Sequence, residues 1–160
     1  MNLSTHEIGF ESLDALEGLD ALCLFVGEDD RPLKGAAGYV DWRLAGALSR
    51  VLMQEFFVGA AGDCLLLPSN GRIAIPRIFA CGAGPSNGFG PERLREILSD
   101  AAVRLDRAKI RSVALEVPGA GAVPDEERSR AVKEAFLGRF SGERVAFLAD
   151  KAVGKLLPSR

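Results

Sequence analysis

The sequence predicts an α/β layered fold built on a mixed, largely parallel sheet, in a single domain spanning residues 1–160. Three observations carry this reading. From residue 77 onward, short apolar runs alternate with amphipathic stretches in the order strand, helix, strand, helix, strand. Such alternation requires crossover helices between parallel strands. Residues 21–26 (ALCLFV) form a continuous apolar run of strand length, the pattern of a buried strand. Asn70-Gly71 is a strong hairpin signal, because both residues tolerate positive φ, and it adds an antiparallel pair to the sheet. No internal repeat, low-complexity tract or linker divides the chain.

The elements follow in order. Residues 3–11 alternate loosely, as a first strand or an irregular lead-in. The run 21–26 stops at Gly27-Glu28-Asp29-Asp30-Arg31-Pro32, a turn. Residues 33–40 are rich in Gly and Ala and read as irregular. Asp41 then reads as the N-cap of a helix with Trp42, Ala45, Leu48 and Leu52 at helical spacing. Gly46 inside it costs about 1 kcal/mol against alanine and marks close approach by another backbone. Residues 64–67 and 72–75 read as hairpin strands, and after Pro76 the run 77–81 (RIFAC) is a further apolar strand. Pro91 suits the first position of the clearest helix, whose apolar face is Leu94, Ile97, Leu98, Ala101, Leu105 and Ala108. Residues 112–117 (SVALEV) form the next strand. Pro124-Asp125-Glu126-Glu127 is an acidic helix start with Val132, Ala135, Phe136 and Phe140 on its buried face. Residues 144–148 (RVAFL) are the last strand, and 151–160 a short tail.

Composition excludes several classes of function. Apolar residues make up 48% and charged residues 26%, the balance of a globular domain with a hydrophobic core. A net charge of −2, with Lys and Arg scattered among Asp and Glu, gives no surface for nucleic acid or an anionic membrane. The N-terminal stretch has no basic segment followed by an apolar run, and no stretch reaches the ~18–20 apolar residues of a membrane span. Cys23, Cys64 and Cys81 are odd in number and lie in apolar, strand-like runs, as buried thiols do in a reducing compartment. The cytoplasm is the expected location.

Candidate chemistry is sparse. His6 is the single imidazole and reads as a surface or strand-edge residue. The cysteines lack paired metal-ligand spacing, and Glu28-Asp29-Asp30 reads as a solvated turn rather than a cation site. No nucleophile has an evident base, so no catalytic residue and no cofactor is expected. The one candidate binding segment is the loop from Gly82 to Gly90, with Gly82, Gly84, Ser86, Asn87, Gly88, Phe89 and Gly90 as its site residues. It lies between a strand and a helix start, where free N–H groups favour an anion such as a phosphate-containing small molecule. The bland alternative is a connection whose glycines only turn the chain. Trp42 reads as a core residue or, alternatively, as a partner-binding anchor.

Three stretches carry a family resemblance. They are Asp41-Trp42-Arg43-Leu44-Ala45-Gly46-Ala47-Leu48-Ser49 with Phe57-Val58-Gly59 and the strand 63–68, then Arg77-Ile78-Phe79-Ala80-Cys81-Gly82-Ala83-Gly84, and Leu137-Gly138-Arg139-Phe140. In this order the chain resembles the N-terminal domain of the leucyl (cytosol) aminopeptidase family, over about residues 20 to 150. The resemblance implies a three-layer α/β/α, macro-domain-like fold. It transfers no catalytic residue, because the family's two-metal peptidase site lies in a separate domain whose Asn-Thr-Asp-Ala-Glu-Gly-Arg motif is absent from this sequence. The chain therefore reads as a stand-alone relative or a fragment.

The resemblance further implies a non-catalytic interaction or regulatory domain acting by self-association or by docking on another protein, such as a separately encoded peptidase. The alternative is a nucleotide or ADP-ribose-type ligand module using loop 82–90, since Asn87-Gly88-Phe89-Gly90-Pro91 resembles the macro-domain loop that wraps a diphosphate. The macro-domain's adenine-reading acid and glycine-rich first loop have no clear counterpart, residues 33–40 being a loose substitute.

Overall fold

The computed structural model describes all 160 residues, Met1–Arg160. Six strands form one sheet: β1 (Asn2–Glu7), β2 (Ala21–Gly27), β3 (Cys64–Pro68), β4 (Arg77–Gly84), β5 (Ser112–Glu116) and β6 (Arg144–Ala149). Their spatial order is β1-β6-β5-β2-β4-β3. Every pair is parallel except β3 with β4. Helices α1 (Phe10–Ala15), α2 (Gly35–Arg43) and α3 (Ala47–Met53) precede β3. Helices α4 (Pro91–Arg107) and α5 (Asp125–Ala131), with a π-helical turn Val132–Leu137 continuing α5, and α6 (Lys151–Gly154) complete the chain.

The strand pleat sorts side chains into two cores. In β2, Ala21, Cys23 and Phe25 face one side, together with Leu94, Ile97 and Leu98 of α4, Phe136 of the π-turn and Val153 of α6. Leu22, Leu24 and Val26 face the other, with Leu13 of α1, Val40 of α2 and Leu48 of α3. Period-2 alternation between two apolar faces makes the strand sequence continuously hydrophobic, as expected of a sheet covered on both sides. This is the three-layer α/β/α arrangement with a mixed, largely parallel sheet.

Four local readings are corrected. Residues 33–40 are not irregular. α2 starts at Gly35 and buries Ala36, Ala37 and Val40, and its mostly alanine face gives weak apolar periodicity while allowing close approach to the sheet. Asp41 lies near the end of α2 rather than opening a helix. The chain breaks at Ala45 and Gly46, whose φ values are 54° and 82°. Asp41 still caps: its carboxylate accepts the N–H of Ser49 at 3.0 Å, in the first turn of α3, and the Ser49 hydroxyl as well. Trp42, read first as core, is 76% exposed. Residues 72–75 are not a strand. β3 pairs with β4, Asn70 and Gly71 turn with φ values of 53° and 78°, and the N–H of Ser69 bonds the carbonyl of Pro76 across the loop.

The leading segment resolves into edge strand β1 followed by α1. The three thiols line up across three adjacent strands: the Cys81 sulfur is 3.9 Å from that of Cys23 on β2 and 3.3 Å from that of Cys64 on β3. Hydrogen bonding to Cys81, then burial, pushes the Cys64 thiol above its ordinary pKa.

Candidate functional site

From β2 the chain passes to edge strand β3 and back to β4 on one side, and then crosses to β5 on the other. The resulting crevice, at the carboxyl ends of the strands, is where open α/β sheets bind ligands. Here it is a cleft of about 400 Å³, walled by the segments that follow β2, β4 and β5 and by Asp150 after β6.

Its floor is a split between strands. β2 pairs with β5 only from Ala21↔Val113 to Cys23↔Leu115. Beyond this point β5 follows β6 alone, the Val117 N–H donating to the Leu148 carbonyl at 2.9 Å. The Glu116 side chain fills the gap: one carboxylate oxygen accepts the N–H of Phe25 at 2.9 Å, the other the N–H of Ala36 at 2.9 Å. Burial pushes its pKa up to about 7. The Phe25 and Ala36 bonds pull it down, Asp30 pushes it up and Arg128 pulls it down.

Arg128 of α5 is fully buried beside it. Its guanidinium donates to the carbonyls of Pro118 at 3.0 Å and Val117 at 2.9 Å, and to the carboxylates of Asp125 at 3.1 Å and Asp150 at 2.9 Å. It fixes the start of the loop after β5. For Asp150, burial opposes ionisation, but the Arg128 bond and charge outweigh it and hold the pKa below the ordinary carboxylate value.

The loop residues singled out from the sequence divide into two groups. Gly84, Ser86 and Phe89 line the cleft; Gly82, Asn87, Gly88 and Gly90 do not. Gly82 lies beneath the segment 59–63: its N–H donates to the Asp63 carbonyl at 2.8 Å, and a Cβ would stand 1.9 Å from the Ala60 carbonyl oxygen. Asn87 presents its carbonyl to Arg93 at 3.2 Å, and Arg93 in turn lies 5.6 Å from the Phe89 ring centroid. Gly88 turns at φ 77°, and Gly90 is the N-cap residue of α4.

The acidic turn after β2 serves the chain itself. Asp29 accepts the Ser86 N–H at 2.6 Å, and this bond, then the Ser86 hydroxyl, lowers its pKa. Asp30 accepts the Gly27 N–H at 2.8 Å. No three His, Cys, Asp or Glu side chains are grouped as metal ligands. His6 lies on edge strand β1, 3.0 Å from the Ser4 hydroxyl, with its pKa lowered by burial and then by Arg144. Neither His nor Cys lines the cleft, so the Ser86 hydroxyl has no imidazole there.

Sequence reasoning missed Glu116, Arg128 and the loop 117–122. The available signals were a Gly-Ala-Gly-Ala run after a strand, matching the form of 82–84, and a carboxylate at the end of an apolar strand.

Residues 22–145 match the model of the cytosol aminopeptidase family, N-terminal domain. A probable cytosol aminopeptidase of Oleidesulfovibrio alaskensis is 33% identical over 123 residues, which cover 75% of this chain and 23% of that protein. A mutant of tomato leucine aminopeptidase shares the fold at a TM-score of 0.64 and 19% identity, over 98% of this chain and 34% of the other. A Trypanosoma brucei macrodomain in complex with ADP-ribose matches at a TM-score of 0.71 and 17% identity, over 96% of this chain and 66% of that one. This chain thus spans less than a quarter of the curated relative, and the match lies in the family's N-terminal domain rather than its catalytic one. No helix is long and apolar enough to cross a membrane. With the family's model matched over residues 22–145, the chain belongs to the cytosol aminopeptidase family, through its N-terminal domain.

Proposed function

We propose that the chain is a non-catalytic interaction domain of the cytoplasm, acting by self-association or by docking on the catalytic part of a cytosol aminopeptidase. The observation that carries this is the outer side of the α2–α3 layer. Trp42 is 76% exposed, Met53 81% and Phe56 79%, although Val40, Leu48 and Leu52 of the same layer are buried against the sheet. Exposed aromatic and methionine side chains are typical anchors of protein interfaces. The choice of partner is supported by the relatives, in which the matched part makes up 23% and 34% of the longer chain. The cleft is lined by no His or Cys, and the Ser86 hydroxyl is held by an Asp29 carboxylate of lowered pKa, a weak base, which favours a binding role over catalysis.

Sedimentation velocity of the purified chain, alone and mixed with a cytosol aminopeptidase, tests the reading. Association is expected in one of the two settings and is roughly tenfold weaker for the double variant Trp42→Ser, Phe56→Ser. A chain that stays monomeric and ignores the peptidase overturns it. Stabilisation by ADP-ribose in a thermal-shift titration, with no association, points instead to a nucleotide-type ligand module using Gly84, Ser86 and Phe89.

A further inference from the structure

The cleft has the parts of an anion receptor: an unpaired strand N–H at Phe25, the first turn of a nine-residue helix at Ala36, and a glycine at position 35. Backbone donors converging at a helix start ordinarily receive a phosphate or carboxylate from a ligand. Here the chain supplies the acceptor, the carboxyl group of Glu116. We infer that Glu116 is a built-in ligand, whose carboxylate holds the anion position of the cleft and closes it to phosphate-bearing molecules.

The surroundings are shaped to that carboxylate. Glu116 is 7% exposed, and both of its oxygens are engaged by main-chain donors. Gly35 has φ +57°, and a Cβ there would stand 3.0 Å from the Glu116 oxygen, so glycine lets the backbone close on the group. Two further main-chain donors at the cleft are held the same way, Ser86 N–H by Asp29 and Gly27 N–H by Asp30. Lys34 and Arg128 are the cations of the lining, and Arg128 is already bonded to Asp125 and Asp150. At the Phe25 and Ala36 N–H groups an incoming phosphate therefore meets donors already engaged by Glu116, with the carboxylates of Asp29, Asp30 and Asp150 also in the lining. The negative charge of these carboxylates opposes its entry.

The inference is independent of the docking surface and fails separately from it. Wild type, Glu116→Ala and Glu116→Gln are compared in sodium acetate, sodium phosphate and ADP against sodium chloride of equal ionic strength. Glu116→Ala is expected to melt lower than wild type and to be restored saturably by acetate or phosphate, each bound roughly tenfold tighter or more than by wild type. Glu116→Gln fills the space with a neutral amide and should gain little from any anion. If Glu116→Ala does not fold, the amide resonances of Phe25 and Ala36 in the wild type decide. They should stay still as phosphate or ADP is added. Movement of both signals, or equal stabilisation of wild type and Glu116→Ala by phosphate, overturns the inference.

Discussion

Replacing Arg128 by methionine is expected to lower the unfolding free energy by ~3–5 kcal/mol, the cost of removing one partner from a buried ionic network. The thioether fills most of the volume but cannot donate. The Val117 and Pro118 carbonyls, both on buried residues, lose their only side-chain donor. Leaving buried acceptors unsatisfied contributes more than the lost attraction, since Asp125 and Asp150 keep 40% and 42% side-chain exposure and can rehydrate. Urea unfolding monitored by circular dichroism measures the change. Arg128→Lys should recover only part of it, because one ammonium cannot reach four acceptors in different directions.

The same network makes an acid-limb prediction. Asp150 has its pKa depressed below 3.8 in the folded state, so the unfolded chain binds more protons just below that value. Its contribution is present above pH 3.8 and is lost as pH falls through the folded pKa. Arg128→Met should flatten that loss. A methionine variant within about 1 kcal/mol of wild type would remove the guanidinium from the structural account.

Gly82→Ala is expected to cost roughly 3 kcal/mol or more, as overpacking against a backbone that cannot yield. The new methyl would stand 1.9 Å from the Ala60 carbonyl oxygen and 2.8 Å from the Gly59 carbonyl carbon. Relief requires segment 59–63 to lift off β4, which breaks the bonds from Gly82 N–H to Asp63 and from Gly84 N–H to Gly59, both 2.8 Å. Gly88→Ala is the control. It carries positive-φ strain, but its nearest neighbour is the end of the Arg93 side chain at 3.6 Å, so about 1 kcal/mol is expected. Thermal unfolding of the pair reads the difference, and equal losses would show that the Ala60 contact yields easily.

The fold was legible where local pattern and tertiary environment agree. The runs 21–26, 77–81, 112–117 and 144–148 are strands because both faces of the sheet are covered, and 91–107 is a helix because one stripe meets the core. The pattern misled where the buried face is small or the chain changes direction. The alanine face of α2 carries no periodic apolar signal, and the apolar spacing from Trp42 to Leu52 runs through a break at Gly46.

The site was legible only in part. The glycine-rich segment 82–90 announces itself, and Gly84, Ser86 and Phe89 among its singled-out residues reach the cleft. Glu116 does not, because its partner Phe25 lies 91 residues away and the strand split that frees that N–H exists only in the assembled sheet. Arg128 looks like any basic residue in an acidic helix until the carbonyls of the preceding loop surround it.

The row of sulfurs gives the sheet a recorder of its own partial openings. Cys64 is half-covered on edge strand β3, Cys81 is buried one strand in, and Cys23 is wholly enclosed on β2. An alkylating reagent should mark Cys64 and Cys81 when β3 peels from β4, whereas Cys23 waits for the central strands to part. Site-resolved alkylation should therefore separate into an early phase at the first two cysteines and a late one at the third. A single common rate would mean that the edge and centre come apart together.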